Sequence, residues 1–399
     1  PSWDAQYETW DTSGGLPTKG QLGNRNLRPE HTTENEISLN AILFDKYGIE
    51  LTHAWQKTID QIVPAPLPGY VGYSSQWINA GAVAGHSTEL SIEANFIQRP
   101  NVGWNSVVIA DYNYAEIVDW PLPCDASRTW RFDCAGEPVY GIYGFRLVEN
   151  HDQLKNHRGG EALPYADQFQ VNDEGYLVWV GDFDYTDGYK DGQVTPGTWG
   201  TVSPVIGSRT YQWGVPFFEE DENGATKRPS LGTGNPVNFG WLNNLRLGNW
   251  NFHAQLHASI GGVANNRAFQ DMINNAQRNA PMMDQGGKPD GLKKPIGYYT
   301  AVVGSGGSTY ITEKADYIKL RTISANYRFN QQHFERLGLG RLGIQSLQLG
   351  ITGRNIFTIT DYSGFDPEQA LNLNTRLNAV GLANYPSTRT WTFEAAVTF

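Results

Sequence analysis

Apolar residues in this chain recur with a period of two in segment after segment, and rarely with the 3.6 spacing of a helix. At the end of the chain, Trp391, Phe393, Ala395, Val397 and Phe399 fall on one face of an extended ribbon. Thr390, Thr392, Glu394, Ala396 and Thr398 fall on the other. Side chains alternate across a strand, so this is a strand with one apolar and one mostly polar face. Ile37, Leu39, Ala41 and Leu43 alternate with Glu36, Ser38, Asn40 and Ile42. Ile49, Leu51, His53 and Trp55 stand against Glu50, Thr52, Ala54 and Gln56. Leu90, Ile92, Ala94 and Phe96 repeat the pattern, followed by Trp104, Val108, Ala110, Tyr112 and Tyr114. A strand near 234–247 precedes Phe252, Ala254, Leu256, Ala258 and Ile260, set against Asn251, His253, Gln255, His257 and Ser259. Three more strands read from about 314–329, 344–357 and 386–399, which makes nine. Each is long enough for the ~9–11 residues of a tilted membrane strand. The exception is 267–279, whose spacing predicts a short amphipathic helix inside a connection.

The connections alternate short and long. Those near 45–48, 99–103 and 248–249 are tight, and 330–343 is somewhat longer; those near 63–78, 121–232, 265–312 and 358–384 are extended. Outer-membrane barrels have short periplasmic turns and long external loops, whereas a soluble sandwich has no reason to gather its long loops at one end. With Phe399 at the periplasmic side, counting backward puts every long loop outside the cell, including 121–232. Trp55, Trp77, Trp104, Trp120, Trp241, Trp250 and Phe357 lie near strand ends, as the rings of an interfacial girdle do. The expected fold is all-β, a transmembrane antiparallel barrel. Its mean hydropathy of −0.47 fits, because lipid-facing and lumen-facing residues alternate and the average stays polar. No segment approaches the ~18 uninterrupted apolar residues of a spanning helix. A soluble β-sandwich lectin is the competing architecture, and it predicts extraction without detergent.

Nine strands leave two edges unpaired, and an unpaired backbone group in lipid costs several kcal/mol. Single-chain bacterial barrels also use even strand numbers. The chain is therefore expected to be part of a larger barrel.

A net charge of −11 and the lack of a Lys/Arg stripe exclude nucleic acid as a partner. Cys124 and Cys134, the two cysteines, either form a disulfide in an oxidising compartment or stand as two loop thiols. No G-x-S-x-G, P-loop, H-E-x-x-H or C-x-x-C pattern occurs, so an enzyme is not expected. His253 and His257 share a strand face with Asn251, Gln255 and Ser259, the setting of a hydrated lumen wall. Glu219, Glu220 and Asp221 read as a solvated charge run. Asp182, Asp184, Asp187 and Asp191 offer hard oxygen ligands for a structural calcium, though not at EF-hand spacing; a solvated acidic turn with Asx-type hydrogen bonds is the alternative.

Several stretches, in order, resemble the SusC/RagA branch of TonB-dependent outer-membrane transporters. Gly23-Asn24-Arg25-Asn26-Leu27-Arg28-Pro29-Glu30 with Thr33, Glu34 and Glu36 is similar to that group's GN-x-NL-x-PE-x-T-x-E stretch. Asn79-Ala80-Gly81 with Glu89-Leu90, and the loop from Gly181 to Thr195, look like two further signatures, although the loop lacks the asparagine of NGDG. Ala315 to Arg321 matches A-x-Y-x-[KR]-L-R, Gly353 to Phe357 matches GxNLF, and Gly364 to Glu368 matches GxDPE. Tyr385-Pro386, Arg389-Thr390 and Phe399 complete the set. The resemblance implies that residues 1–399 supply about the last nine strands of a 22-stranded barrel, with no counterpart of the plug domain, the TonB box or the first strands. It also implies import of a glycan or peptide, energy from TonB, a SusD-like surface lipoprotein as partner, and outer-membrane lipid around the wall. Cap and substrate contacts are expected in 121–232, where Trp120, Trp130, Tyr140, Tyr143 and Trp179 offer ring faces that stack on sugars or pack the loop. The competing role is a structural or binding barrel component that transports nothing.

Overall fold

The computed structural model describes residues 19–124, 133–190, 193–194, 199–276, 285–289, 292–303, 308–338, 343–370 and 387–399. Its largest element is one nine-stranded sheet. The strands are β1 (His31–Leu43), β2 (Tyr47–Ile59), β3 (Ala82–Arg99), β4 (Val102–Asp119), β5 (Val237–Leu247), β6 (Trp250–Ile260), β7 (Tyr317–Asn330), β8 (Ser346–Thr360) and β9 (Thr390–Thr398). They lie side by side in chain order, and every neighbouring pair is antiparallel. All nine segments expected from the alternation are present. The predicted helix at 267–279 begins as an α-helical turn at Arg267–Asp271 and continues with π geometry at Met272–Ala276.

The register converts the alternation within each strand into rows that cross the whole sheet. Leu39, Leu51, Leu90, Ala110, Phe239, Ala258, Ile318 and Ile359 form one continuous row. One position along, Ser38, Thr52, Glu89, Asp111, Asn238, Ser259, Tyr317 and Thr360 form a row on the opposite face. A one-residue slip would exchange the two faces, so the pattern pins the register. The apolar face is uncovered: Ile37 is 65% and Phe393 77% exposed. Among the described residues no protein layer packs on it, which is the reverse of a soluble sheet.

Two aromatic belts bound the apolar face. At the long-loop end, His53, Trp55, His86, Tyr112 and Tyr114 are in ring contact across β2, β3 and β4. At the short-turn end, Phe96 meets Trp104, and Trp250 stacks beside Phe252 and Tyr327. Along β3, His86 and Phe96 stand ten positions apart, roughly 33 Å of strand. At a tilt of about 40° this spans about 25 Å, the height of an outer-membrane apolar band. Two indole N–H groups on this face have protein acceptors, Trp241 donating to Ser106 Oγ at 2.9 Å and Trp104 to Asn243 Oδ1 at 3.3 Å. Lipid cannot accept a hydrogen bond, so these pairings are what that face requires. Among the described residues, no helix is long and apolar enough to cross a membrane. The wall is that of a transmembrane β-barrel.

The turns explain how adjacent strands stay in phase. Phe44 and Asp45 both have positive φ, and Gly248 lies at φ 57°, conformations that suit the mirror-image turns of tight hairpins. All the long connections leave the other end, where the protein's buried core sits. Val148, Leu154, Phe169, Leu177, Trp213 and Phe217 form one cluster within the β4–β5 connection. Leu147 of that connection joins Ile273, Tyr298, Val302 and Ile311 of the β6–β7 connection in a second. The β4–β5 and β6–β7 connections are thus interlocked, not separate flaps. His157 is fully buried in the first of them. Burial, reinforced by the positive charge of Arg209, holds its pKa down at about 4. The ring is therefore neutral, taking the Glu220 N–H on Nδ1 at 3.2 Å and meeting the Tyr211 hydroxyl at 3.1 Å.

Candidate functional site

The polar face of the wall is divided by charge. On β1 to β4 it carries Glu34, Glu36, Glu50, Glu89, Glu93 and Asp111, and no Lys or Arg. On β5 to β9 it carries Arg246, Lys319, Arg321, Arg328 and Arg354, with His253 and His257, and Glu394 as its one carboxylate. Two carboxylates of the acidic half are paired with amides: Asn238 Nδ2 donates to Asp111 at 2.9 Å and Asn105 Nδ2 to Glu93 at 2.7 Å.

The basic half holds a dense ionic cluster. After β8 the chain folds back over the polar face through Gly364-Phe365-Asp366-Pro367-Glu368, ending in a single helical turn at Pro367–Ala370. Lys319, only 2% exposed, donates to Asp366 Oδ1 at 2.7 Å and Glu368 Oε2 at 2.9 Å. Arg321 grips both oxygens of Glu368, with Nη1 to Oε2 at 2.8 Å. Ser387 Oγ donates to Asp366 Oδ2 at 2.9 Å, tying the segment before β9 to the same group. Burial pushes the Glu368 carboxyl up, but the Arg321 and Lys319 hydrogen bonds more than offset this and hold it at about 2. Asp366 is lowered too: burial raises it, and Lys319 and Ser387 overcome that rise. Removing one partner from a buried pair of this kind costs about 3–5 kcal/mol. The strap formed by 361–370 is therefore fastened to the wall.

A bulge makes this geometry possible. Register shifts between Leu320 and Thr322 against both neighbouring strands: Arg321 is an extra residue relative to β6, whereas on β8 Asn355 and Ile356 stand opposite it, and Arg321 turns to the polar face beside Lys319 and Thr322. Opposite it, Asn355 takes φ 51°, a left-handed conformation that asparagine tolerates better than most residues, and its amide donates to Thr388 O at 3.1 Å. Arg321 Nη2 lies 2.6 Å from His257 Nδ1. A guanidinium only donates, so Nδ1 accepts and the neutral ring carries its proton on Nε2.

The residues expected to contact substrate are dispersed. Trp179 is 5% exposed inside the loop core, its indole N–H donating to Gln168 Oε1 at 3.0 Å. Tyr143 is buried and its hydroxyl donates to Glu137. Neither has a free ring face, a correction to the stacking role; both pack the loop. Tyr140 is partly exposed and Trp120 lies at the wall's rim, its N–H toward Pro123 O at 3.4 Å. Trp130 lies outside the described residues, as do Asp191 and the Tyr385-Pro386 pair. Asp184 Oδ1 accepts from Thr186 N at 3.0 Å and Asp187 Oδ2 from Asp184 N at 3.0 Å, as in Asx turns. Among the described residues no group of three or more His, Cys, Asp or Glu is placed to hold a metal ion. Cys124 and Cys134 are joined in a disulfide with Cα atoms 4.8 Å apart. His253 and His257 both stand on the polar face, His253 Nδ1 lying 2.8 Å from Asn244 Oδ1. Of Glu219, Glu220 and Asp221, Glu220 is buried between Arg158 and Arg209, so the run is not simply solvated. Sequence reasoning missed the strap. The signal was present as two motifs, one carrying Lys319 and Arg321 and one carrying Asp366 and Glu368, whose charges are complementary.

Comparison with known proteins fits this wall. No family model matches the chain. It is 25% identical over 382 residues to TonB-dependent receptor P3 of Formosa agariphila, covering 93% of this chain and 34% of that protein. It is 24% identical over 389 residues to TonB-dependent receptor P39 of the same organism, again covering 34% of it. The chain thus spans about a third of the length of the curated relatives it matches. Among solved structures it superposes on the RagAB peptide importer in the closed-closed state with a TM-score of 0.64 at 16% identity, covering all of this chain and 38% of that one. A second structure of the RagAB peptide transporter gives 0.61 at 15% identity. The fold is the antiparallel wall of an outer-membrane barrel, its apolar face toward lipid and its polar face toward the lumen. The chain is thus similar in sequence to part of TonB-dependent receptors and shares the fold of the RagAB barrel wall.

Proposed function

We propose that this chain forms part of the wall and the external loop layer of a TonB-energised importer for a nutrient too large for porins, a peptide or glycan. The observation that carries this reading is the pairing of a lipid-facing band with a charged lumen face onto which an external loop is strapped. A purely structural wall has no use for a charge-divided lumen. In this reading the short turns lie at the periplasmic side and the long loops face outward, with 121–232 as the principal external region. A SusD-like lipoprotein would sit on that layer, where Tyr165, Phe183 and Val205 present apolar groups at 40%, 51% and 67% exposure. Surface apolar groups of this kind mark protein contacts when they gather on one side of a domain.

The test is growth of the native host on peptide or on oligosaccharide as sole source, comparing wild type, a deletion of the full gene and a tonB deletion. Loss of growth on one nutrient class in both deletions supports import and names the class. Normal growth of the gene deletion on every nutrient tried, with the protein still present in surface assemblies, would favour the structural role. Co-purification of a lipoprotein after detergent extraction tests the partner.

A further inference from the structure

The bulge that turns Arg321 inward also opens the lumen wall. Gln255, His257, Arg321, Thr322, Arg354 and Asn355 line a cavity of about 430 Å3. This site lies on three adjacent strands, since Gln255 pairs with Thr322 and Thr322 with Arg354. Its lining is rich in donors: two guanidinium groups, the side-chain amides of Gln255 and Asn355, a hydroxyl, and the Nε2–H of His257. No described carboxylate pairs with Arg354, which is exposed to the lumen, whereas Lys319 and Arg321 beside it are occupied.

The protein displays on its own wall what such a surface takes. One carboxylate, Glu368, is already held by two N–H groups of Arg321 and by Lys319. Arg354 offers the same planar fork a strand away, with no carboxylate among the described residues to fill it. A fork of this shape matches a carboxylate in two parallel hydrogen bonds, and a neutral hydroxyl cannot use it in that way.

We propose that this cavity is a carboxylate-binding subsite of the import lumen, holding an acidic group of the cargo between Arg354, Gln255 and the His257 Nε2–H. The proposal rests on the import reading and narrows it: the cargo carries a carboxylate, as a peptide C-terminus or a uronic acid does. An exposed ion pair alone contributes little. Several converging donors to one charged group make the expected preference roughly tenfold or more.

The experiment uses the full-length protein, extracted in detergent from its own host, and titration calorimetry. The probes are tetra-alanine against its C-terminal amide, and trigalacturonate against its methyl ester. Arg354→Gln and Arg354→Lys are compared with wild type, with heat-modifiable gel mobility confirming an intact barrel. At least tenfold tighter binding of either free acid, abolished in Arg354→Gln and partly kept in Arg354→Lys with the neutral partner's binding unchanged, supports the subsite and says which source supplies the acid. Equal binding of acid and neutral forms in both pairs overturns it, and so does a loss in Arg354→Gln that is the same for both forms. Acid preference without TonB-dependent uptake would count against import and leave the subsite standing; uptake without acid preference would do the reverse.

Discussion

The two halves of the lumen face are built from the same kind of strand and behave as opposites. On β1 to β4 six carboxylates face the lumen with no Lys or Arg among them. On β5 to β9 the cations dominate, and two of them are tied to carboxylates brought from outside the sheet by the strap. The difference lies in burial. Lys319 is 2% exposed and has to be paired, because an isolated buried ammonium is too costly to keep charged. Glu50 and Glu89 stand largely in the open lumen, where water and counterions solvate them, and like charges one strand apart are tolerated. Charge on a barrel wall is thus either structural, when a loop covers it, or available, when nothing does.

That contrast can be broken from its structural side first. Lys319→Met leaves Asp366 and Glu368 facing a buried apolar group, and the strap should lose about 3–5 kcal/mol. The expected result is a large rise in amide exchange over 361–370 with exchange in β7 and β8 nearly unchanged. Glu368→Gln keeps the shape but removes the charge gripped by Arg321, and should cost about 1.5–3 kcal/mol by the same measurement. Acidification acts on the same group. Its folded pKa, at about 2, lies below the ordinary 4.5, so its contribution is fully present above pH 4.5 and fades as pH falls toward 2. Protease sensitivity of the strap should rise across that window and not between pH 7 and 5. Smallest of all, Glu50→Gln on the acidic half should shift thermal stability by no more than about 0.5 kcal/mol. A large loss there would show that the acidic half is also internally paired, and the contrast would fail.

Much of the wall was legible beforehand because the period of two has one geometric meaning. All nine strands, their order of short and long connections and the antiparallel pairing follow from alternation plus hairpin length. The bulge at Arg321 was not legible, since the alternation Lys319, Leu320, Arg321 reads as regular and the slip shows only against β6 and β8. The sequence leaves open whether Trp179 and Tyr143 contact a ligand or pack the loop, because an aromatic in a long loop looks the same whether its face is free or packed. Their burial depends on partners that no period announces, such as Gln168, Trp213 and Phe217 around Trp179 and Glu137 beside Tyr143. The mutual embrace of the long loops, with Leu147 packed against Tyr298 and Ile311, left no local trace either.

By itself, then, the sequence determined the strands and the two faces of the wall, because a strand's pleat ties side-chain direction to position in the chain. Only the tertiary structure decided which charges are spent on each other. Asp366 and Glu368 meet Lys319 and Arg321 across more than forty positions. Such long-range closure is set by the packing of the whole loop layer and not by any local spacing.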